Sequence, residues 1–176
     1  GATMGGFGPG VFPPGASGSK VLTLDPTIHR YLTYASMVLP SNDAFIGNDS
    51  PMAIELFDAA GNFVATDLML TTDRVWDAGT EVNQVFGAAY IVGQDAMLGT
   101  DENGVVTMAD LSTQFSPYLG SELPPGGTFT VAPATDAQLA SISFQIVPEP
   151  SAVTLVGLGL VSMLAFGRDR RRRLTQ

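Results

Sequence analysis

Between residues 20 and 147, apolar and polar positions alternate over short stretches, and Gly, Pro, Asn or Asp interrupts each one. A period of two places successive side chains on opposite faces, so the pattern predicts strands. Strands are expected at 20–24, 31–39, 44–46, 52–57, 62–66, 68–70, 74–76, 128–132 and 138–147, with a turn at 101–104 before Val105-Val106. In the second of these, Tyr34, Ser36 and Val38 share one face, and Ala35, Met37 and Leu39 share the other. Pro40 ends it, because proline has no N–H for a ladder. The Asp58-Ala59-Ala60-Gly61 stretch predicts a hairpin between 52–57 and 62–66. Residues 85–97 are apolar but include Gly87 and Gly93 and show no clean helical face, so an irregular stretch or short helix is expected. Short strands broken by turn residues predict an all-β antiparallel sandwich.

The two ends break this pattern. Residues 1–18 hold seven glycines and three prolines and read as a flexible linker. The strand-rich body spans 19–147, and a tail occupies 148–173. In the tail, Pro148-Glu149-Pro150 precedes an uncharged apolar run at 152–166, and Arg168, Arg170, Arg171, Arg172 and Arg173 follow it. As a helix, the fifteen-residue run would extend roughly 22 Å, short of a ~30 Å hydrocarbon core. Snorkelling arginine stems extend the reach, and a buried core helix has no use for such a basic block. The expectation is a single C-terminal hydrophobic helix in the inner membrane, with its arginines cytoplasmic and the body outside.

The charge distribution sharpens this division. The chain has eight basic and seventeen acidic residues, but only Lys20, Arg30 and Arg74 are basic before residue 151, so residues 1–150 carry a net charge of −13. A surface of that sign excludes nucleic acid as a partner and suits divalent cations. Cysteine is absent, which excludes thiol catalysis, zinc–thiolate sites and disulfides. The chain begins at Gly1 with no signal-peptide pattern, so a missing precursor start is expected.

The order Pro148-Glu149-Pro150, apolar span, arginine cluster resembles the PEP-CTERM sorting signal of exported bacterial proteins. The resemblance implies a Gram-negative envelope and an exosortase-type processing enzyme that recognises the tripeptide. It implies a periplasmic or cell-surface location with transient anchoring in the inner membrane, often alongside extracellular polysaccharide and biofilm.

A second resemblance rests on two stretches of the body. Residues 34–46 contain Pro40-Ser41-Asn42-Asp43, and residues 75–81 read Val-Trp-Asp-Ala-Gly-Thr-Glu. Together they resemble the spondin N-terminal domain, a C2-like β-sandwich whose opening strands have no counterpart here. The resemblance implies one Ca²⁺ in the loops at one end of the sandwich, held by Asp43, Asp77 and Glu81. Glutamate stands at the last position where animal members show aspartate. The residue types suit the ion, which takes six to eight oxygen ligands. Asp77 and Glu81 lie four apart across an Ala-Gly turn, and Asp43 enters from another loop. The alternative is that Asp43 and Asp77 each cap their own turn through Asx hydrogen bonds.

Other residues carry less. Asp101-Glu102-Asn103-Gly104 lacks the alternating oxygens and distal glutamate of an EF-hand and reads as a turn. Trp76, the sole tryptophan, reads as a core anchor. His29, the sole histidine, follows Pro26 in a turn, and no Gly-x-Ser-x-Gly accompanies it. The functional expectation is a non-enzymatic, calcium-stabilised envelope module for adhesion or matrix interaction, with extracellular polysaccharide or a matrix protein as partner. The alternatives are a hydrolase of extracellular polysaccharide and a metal-free structural surface protein.

Overall fold

The computed structural model describes residues 5–6, 10–124 and 126–147. Eight short strands and one short α-helix follow in chain order, with 3-10 turns at Thr72–Arg74 and Ser116–Tyr118: β1 (Tyr31–Leu32), β2 (Ala35–Met37), β3 (Ala44–Gly47), β4 (Ile54–Glu55), β5 (Leu68–Thr71), β6 (Val75–Asp77), β7 (Thr107–Met108), α1 (Leu111–Phe115) and β8 (Gln138–Ile142). Every pairing is antiparallel. A four-stranded sheet has the order β2-β3-β6-β7, and two further sheets pair β1 with β4 and β5 with β8.

The four-stranded sheet follows from alternation. On β3, Ala44 and Ile46 are buried and Phe45 between them is half-buried; on β6, Val75 is buried and Trp76 half-buried. Ala44, Ile46 and Val75 join Leu70 of β5, Ala88, Ile91, Phe115 of α1 and Tyr118 in one core. The aromatic rings of Phe115, Tyr118 and Phe129 pack edge-on or tilted with centroids 6.2–6.3 Å apart, a favoured aromatic geometry. On the opposite face the register lines up Met37, Phe45, Trp76 and Met108 in one row across all four strands. Trp76 is therefore absent from the buried core cluster expected to hold it. Its indole N–H donates to the Gly47 carbonyl at 3.3 Å.

Several expected strands are shorter or differently paired. The stretch 31–39 divides into β1 and β2, which join different sheets, because the Asn48 side chain accepts from Tyr34 N–H at 3.1 Å and donates to Leu32 O at 3.4 Å. A side chain thus satisfies backbone groups that a continuous strand would have paired. Residues 20–24 form no ladder. The turn at 58–61 forms as expected: Asp58 Oδ1 accepts from Ala60 and Asn62 N–H, and Gly61 takes φ 83°. The chain returns through the single bridge Phe57↔Phe63, while β4 pairs with β1. Around 128–132 only the bridge Glu122↔Thr128 forms. Residues 85–97 are irregular.

Helix α1 was not expected. Its start signal is Asp110, whose Oδ1 accepts from Ser112 N–H at 3.0 Å, an N-cap that a five-residue helix makes hard to read from periodicity. The described residues up to Phe144 form one compact unit, to which 145–147 do not belong. The expected C-terminal hydrophobic helix lies outside the described residues. Among those described, no helix is long and apolar enough to cross a membrane.

Candidate metal centre

The turn that follows Pro40 is built from inside. Ser41 is fully buried; its hydroxyl donates to Val38 O and accepts from Ala44 N–H at 3.0 Å, closing the turn on itself. Asn42 is also buried and serves as a hub. Its Oδ1 accepts from the Tyr118 hydroxyl at 2.5 Å and from Gln84 N–H at 3.2 Å, while its own N–H donates to the Tyr118 oxygen at 3.1 Å. Its Nδ2 donates to Phe86 O at 3.3 Å and Glu81 Oε2 at 3.4 Å. Burial pushes the Tyr118 phenol up to about 12, so it stays a protonated donor.

Asp43 then projects toward the 77–81 loop. Its Oδ2 accepts from Thr80 N–H at 2.7 Å, the Thr80 hydroxyl at 2.9 Å and Glu81 N–H at 3.0 Å. Its Oδ1 is buried and has no hydrogen-bond partner among the described residues. Asp43 therefore clamps the second loop instead of capping its own turn. Asp77 does cap its own: Oδ1 accepts from Gly79 N–H at 2.7 Å, and Oδ2 accepts from Asn83 Nδ2 at 3.2 Å. Gly79 has φ +66°, and a Cβ there would lie 2.7 Å from Val105 N. Only glycine fits this turn and leaves its carbonyl free to accept from Gly104 N–H at 2.7 Å. Glu81 bridges Asp101, and its carboxylate packs over Gly99, where an added Cβ would come within 2.2 Å of Oε2.

The fold thus links Asp43 directly to the backbone of the 77–81 loop that carries Asp77 and Glu81. Among the described residues, no three His, Asp or Glu side chains are disposed together to hold a metal ion. Each Asp77 oxygen accepts a hydrogen bond from its own loop, and Asp43 Oδ1 is the buried side-chain oxygen without a partner among the described residues. A buried carboxylate oxygen without a donor is costly, and Asp43 Oδ1 is such an atom. Sequence reasoning missed Asn42, Thr80, Asn83, Gln114 and Tyr118, although Gln114 Nε2 donates to Asn83 Oδ1 at 2.7 Å and continues the network. Thr80 and Asn42 lie inside the two motifs, but nothing local marks Tyr118, 76 residues from Asn42.

Residues 147–172 match the PEP-CTERM protein-sorting motif. No curated protein and no solved structure matches the chain. The motif marks a substrate of exosortase sorting and an exported, cell-envelope-associated protein. Pro148, Glu149, Pro150 and the arginines through Arg172 fall inside the match, and Arg173 immediately follows it. All of them lie outside the described residues.

Proposed function

We propose that the chain is a non-enzymatic module of the cell envelope, sorted through its tail, that serves adhesion or matrix interaction and carries a structural calcium ion at the Asp43 turn. The sorting motif supports the envelope setting. The apolar run at 152–166 and the arginines that follow support a transient inner-membrane anchor. The motifs around Asp43 and Asp77 support the likeness to the spondin N-terminal domain.

The observation that carries the calcium reading is the buried, unpartnered Asp43 Oδ1. Asp43 would be the anchoring ligand, and the ion would draw in the Asp77 and Glu81 carboxylates from the facing loop, which the fold does not gather around one point with Asp43. The ion would contribute positive charge that lets these acids face one another. The chain's own part is to hold the loops: Asp43 Oδ2 already fastens Thr80 and Glu81, and Asn42 holds the turn against Tyr118. Fixed loops on a rigid sheet end suit contact with extracellular polysaccharide or a matrix protein.

Thermal unfolding of the full chain in detergent micelles, with calcium and with chelator, tests this reading. Calcium at a hundred times its Kd adds about 2.7 kcal/mol, and Asp43→Asn removes most of that gain. An unchanged midpoint, or an equal calcium response in the Asp43→Asn/Asp77→Asn variant, defeats the site. A topology reporter fused just ahead of Pro148 is expected to be active outside the cytoplasm. Activity inside the cytoplasm defeats the envelope placement.

A further inference from the structure

The outer edge of β7 carries a binding feature independent of the Asp43 loops. Thr107 and Ala109 turn their main-chain groups toward β6, as shown by the pairing of Thr107 with Asp77 and by the Ala109 N–H bond to Val75 O at 3.0 Å. Antiparallel alternation therefore turns the N–H and C=O of Met108 to the open side. No strand pairs with that side among the described residues. The side chains along this edge are apolar and unprotected: Val105, Val106 and Met108 are 76%, 58% and 52% exposed.

An open groove of about 490 Å³ begins at Met108 and runs between α1 and the 132–135 loop. Its lining mixes apolar and polar groups. Met108, Leu111 and Pro133 contribute apolar surface; Asp73 and Asp110 add two carboxylates, and Ser112 and Thr135 add hydroxyls. No basic and no aromatic residue lines it. The lack of an aromatic face argues against a stacked sugar. A bare metal ion is also a poor fit, since the groove is far larger than an ion. Asp73 Oδ1 accepts from the Thr71 hydroxyl and its Oδ2 lies 3.8 Å from Arg74 Nε, whose guanidinium has a closer partner in Asp49 at 3.1 Å, while the Asp73 side chain stays half exposed.

A groove lined by apolar side chains together with two carboxylates matches a side chain with an aliphatic stem and a cationic head. A second copy of the chain is disfavoured, because each body brings a net charge of −13 over residues 1–150. We infer that β7 and this groove form a docking site for an extended peptide of another protein, which adds a strand at Met108 and places an arginine or lysine between Asp73 and Asp110. Main-chain bonds to the strand edge would supply affinity and the groove would supply selectivity. A residue of the peptide beside Met108 would extend the Met37–Phe45–Trp76–Met108 row. This inference goes beyond the envelope reading and needs no calcium.

The test uses the full chain in detergent micelles and a fluorescein-labelled heptapeptide library with an alternating Val/Thr frame and one randomised position. Fluorescence polarisation is expected to rank Arg and Lys at least tenfold tighter than Glu at one position, with the preference shrinking in high salt. Asp73→Asn is expected to reduce that preference several-fold. Met108→Pro, which removes an outward N–H and spares the pairing with β6, is expected to abolish binding. The same loss is expected with unaltered protein when the peptide is N-methylated at the residue facing Met108, which separates docking from misfolding. The proposal is overturned if no basic residue is preferred, if Asp73→Asn and peptide N-methylation leave binding unchanged, or if the chain pairs with itself through this edge at micromolar concentration.

Discussion

Replacing Tyr118 by Phe tests whether the candidate site rests on its buried network. The ring is fully buried in the core, so Phe keeps the packing and removes only the hydroxyl. That hydroxyl gives a hydrogen bond to Asn42 Oδ1 at 2.5 Å and receives one from Asn42 N–H at 3.1 Å. Asn42 Oδ1 retains Gln84 N–H at 3.2 Å, but the buried Asn42 N–H is left without an acceptor. An orphaned buried donor costs roughly 1–3 kcal/mol, and about 2 kcal/mol is the central expectation here. For a chain of this length that corresponds to a fall of roughly 4–8 °C in Tm. Urea unfolding of the full chain in micelles measures it, with the m-value expected to stay constant. The two proteins should also differ in alkali. Burial raises the folded-state phenol to about 12, above the ~10 of an unfolded tyrosine. The unfolded state therefore ionises first, so this stabilisation is complete below pH ~10 and disappears as pH rises toward about 12. Tyr118→Phe should lack that component. A loss under about 0.5 kcal/mol, typical of a surface substitution, would refute the claim that this hydroxyl holds the Asn42–Asp43 turn.

Other substitutions probe the loops themselves. Gly79→Ala combines φ +66° with a Cβ 2.7 Å from the Val105 backbone nitrogen, and should cost about 1–3 kcal/mol in urea unfolding. Gly99→Ala meets the flexible carboxylate of Glu81 instead of backbone, so it should shift Tm little and yet weaken the calcium response seen in thermal unfolding. Hydrogen bonds hold three surface carboxylates below their ordinary range: Asp25 by Thr27, Asp58 by Asn62 and Asp110 by Ser112. Their stabilising effect is present above the unfolded value near 4 and is lost as pH falls through the lowered folded values. An Asp25→Asn/Asp58→Asn/Asp110→Asn variant should therefore show a shallower acid limb in a pH–stability titration than the parent chain.

The parts legible in the sequence were those whose causes act over a few residues. Asp58 and Gly61 announced their turn because a side-chain oxygen reaches a backbone N–H two to four residues on. The Asx turn of Asp77 has the same local cause, and stood in the sequence only as the alternative to a metal ligand. The sorting segment was readable as a linear order of residue types, and the match at 147–172 has the same basis. The antiparallel strand class followed from alternation alone.

Pairing was not legible. The stretch 31–39 carried one continuous alternating signal, yet the fold divides it between two sheets, because Asn48 supplies backbone partners from fourteen and sixteen residues away. Trp76 had the composition of a core residue, but the register put it on the outer face beside Phe45 and Met108. Asp43 was expected beside Asp77 and Glu81. Only the folded chain showed that one of its oxygens is used as a clamp on Thr80 and Glu81 while the other is left bare. By itself the sequence determined the tail, the turns and the strand class of this protein, since local hydrogen bonding and residue order are written in neighbouring positions. The tertiary structure decided the partners of Asn42, Asp43 and β7, since burial and strand pairing join residues 30 to 80 positions apart, and each such contact depends on every other one that closes the core.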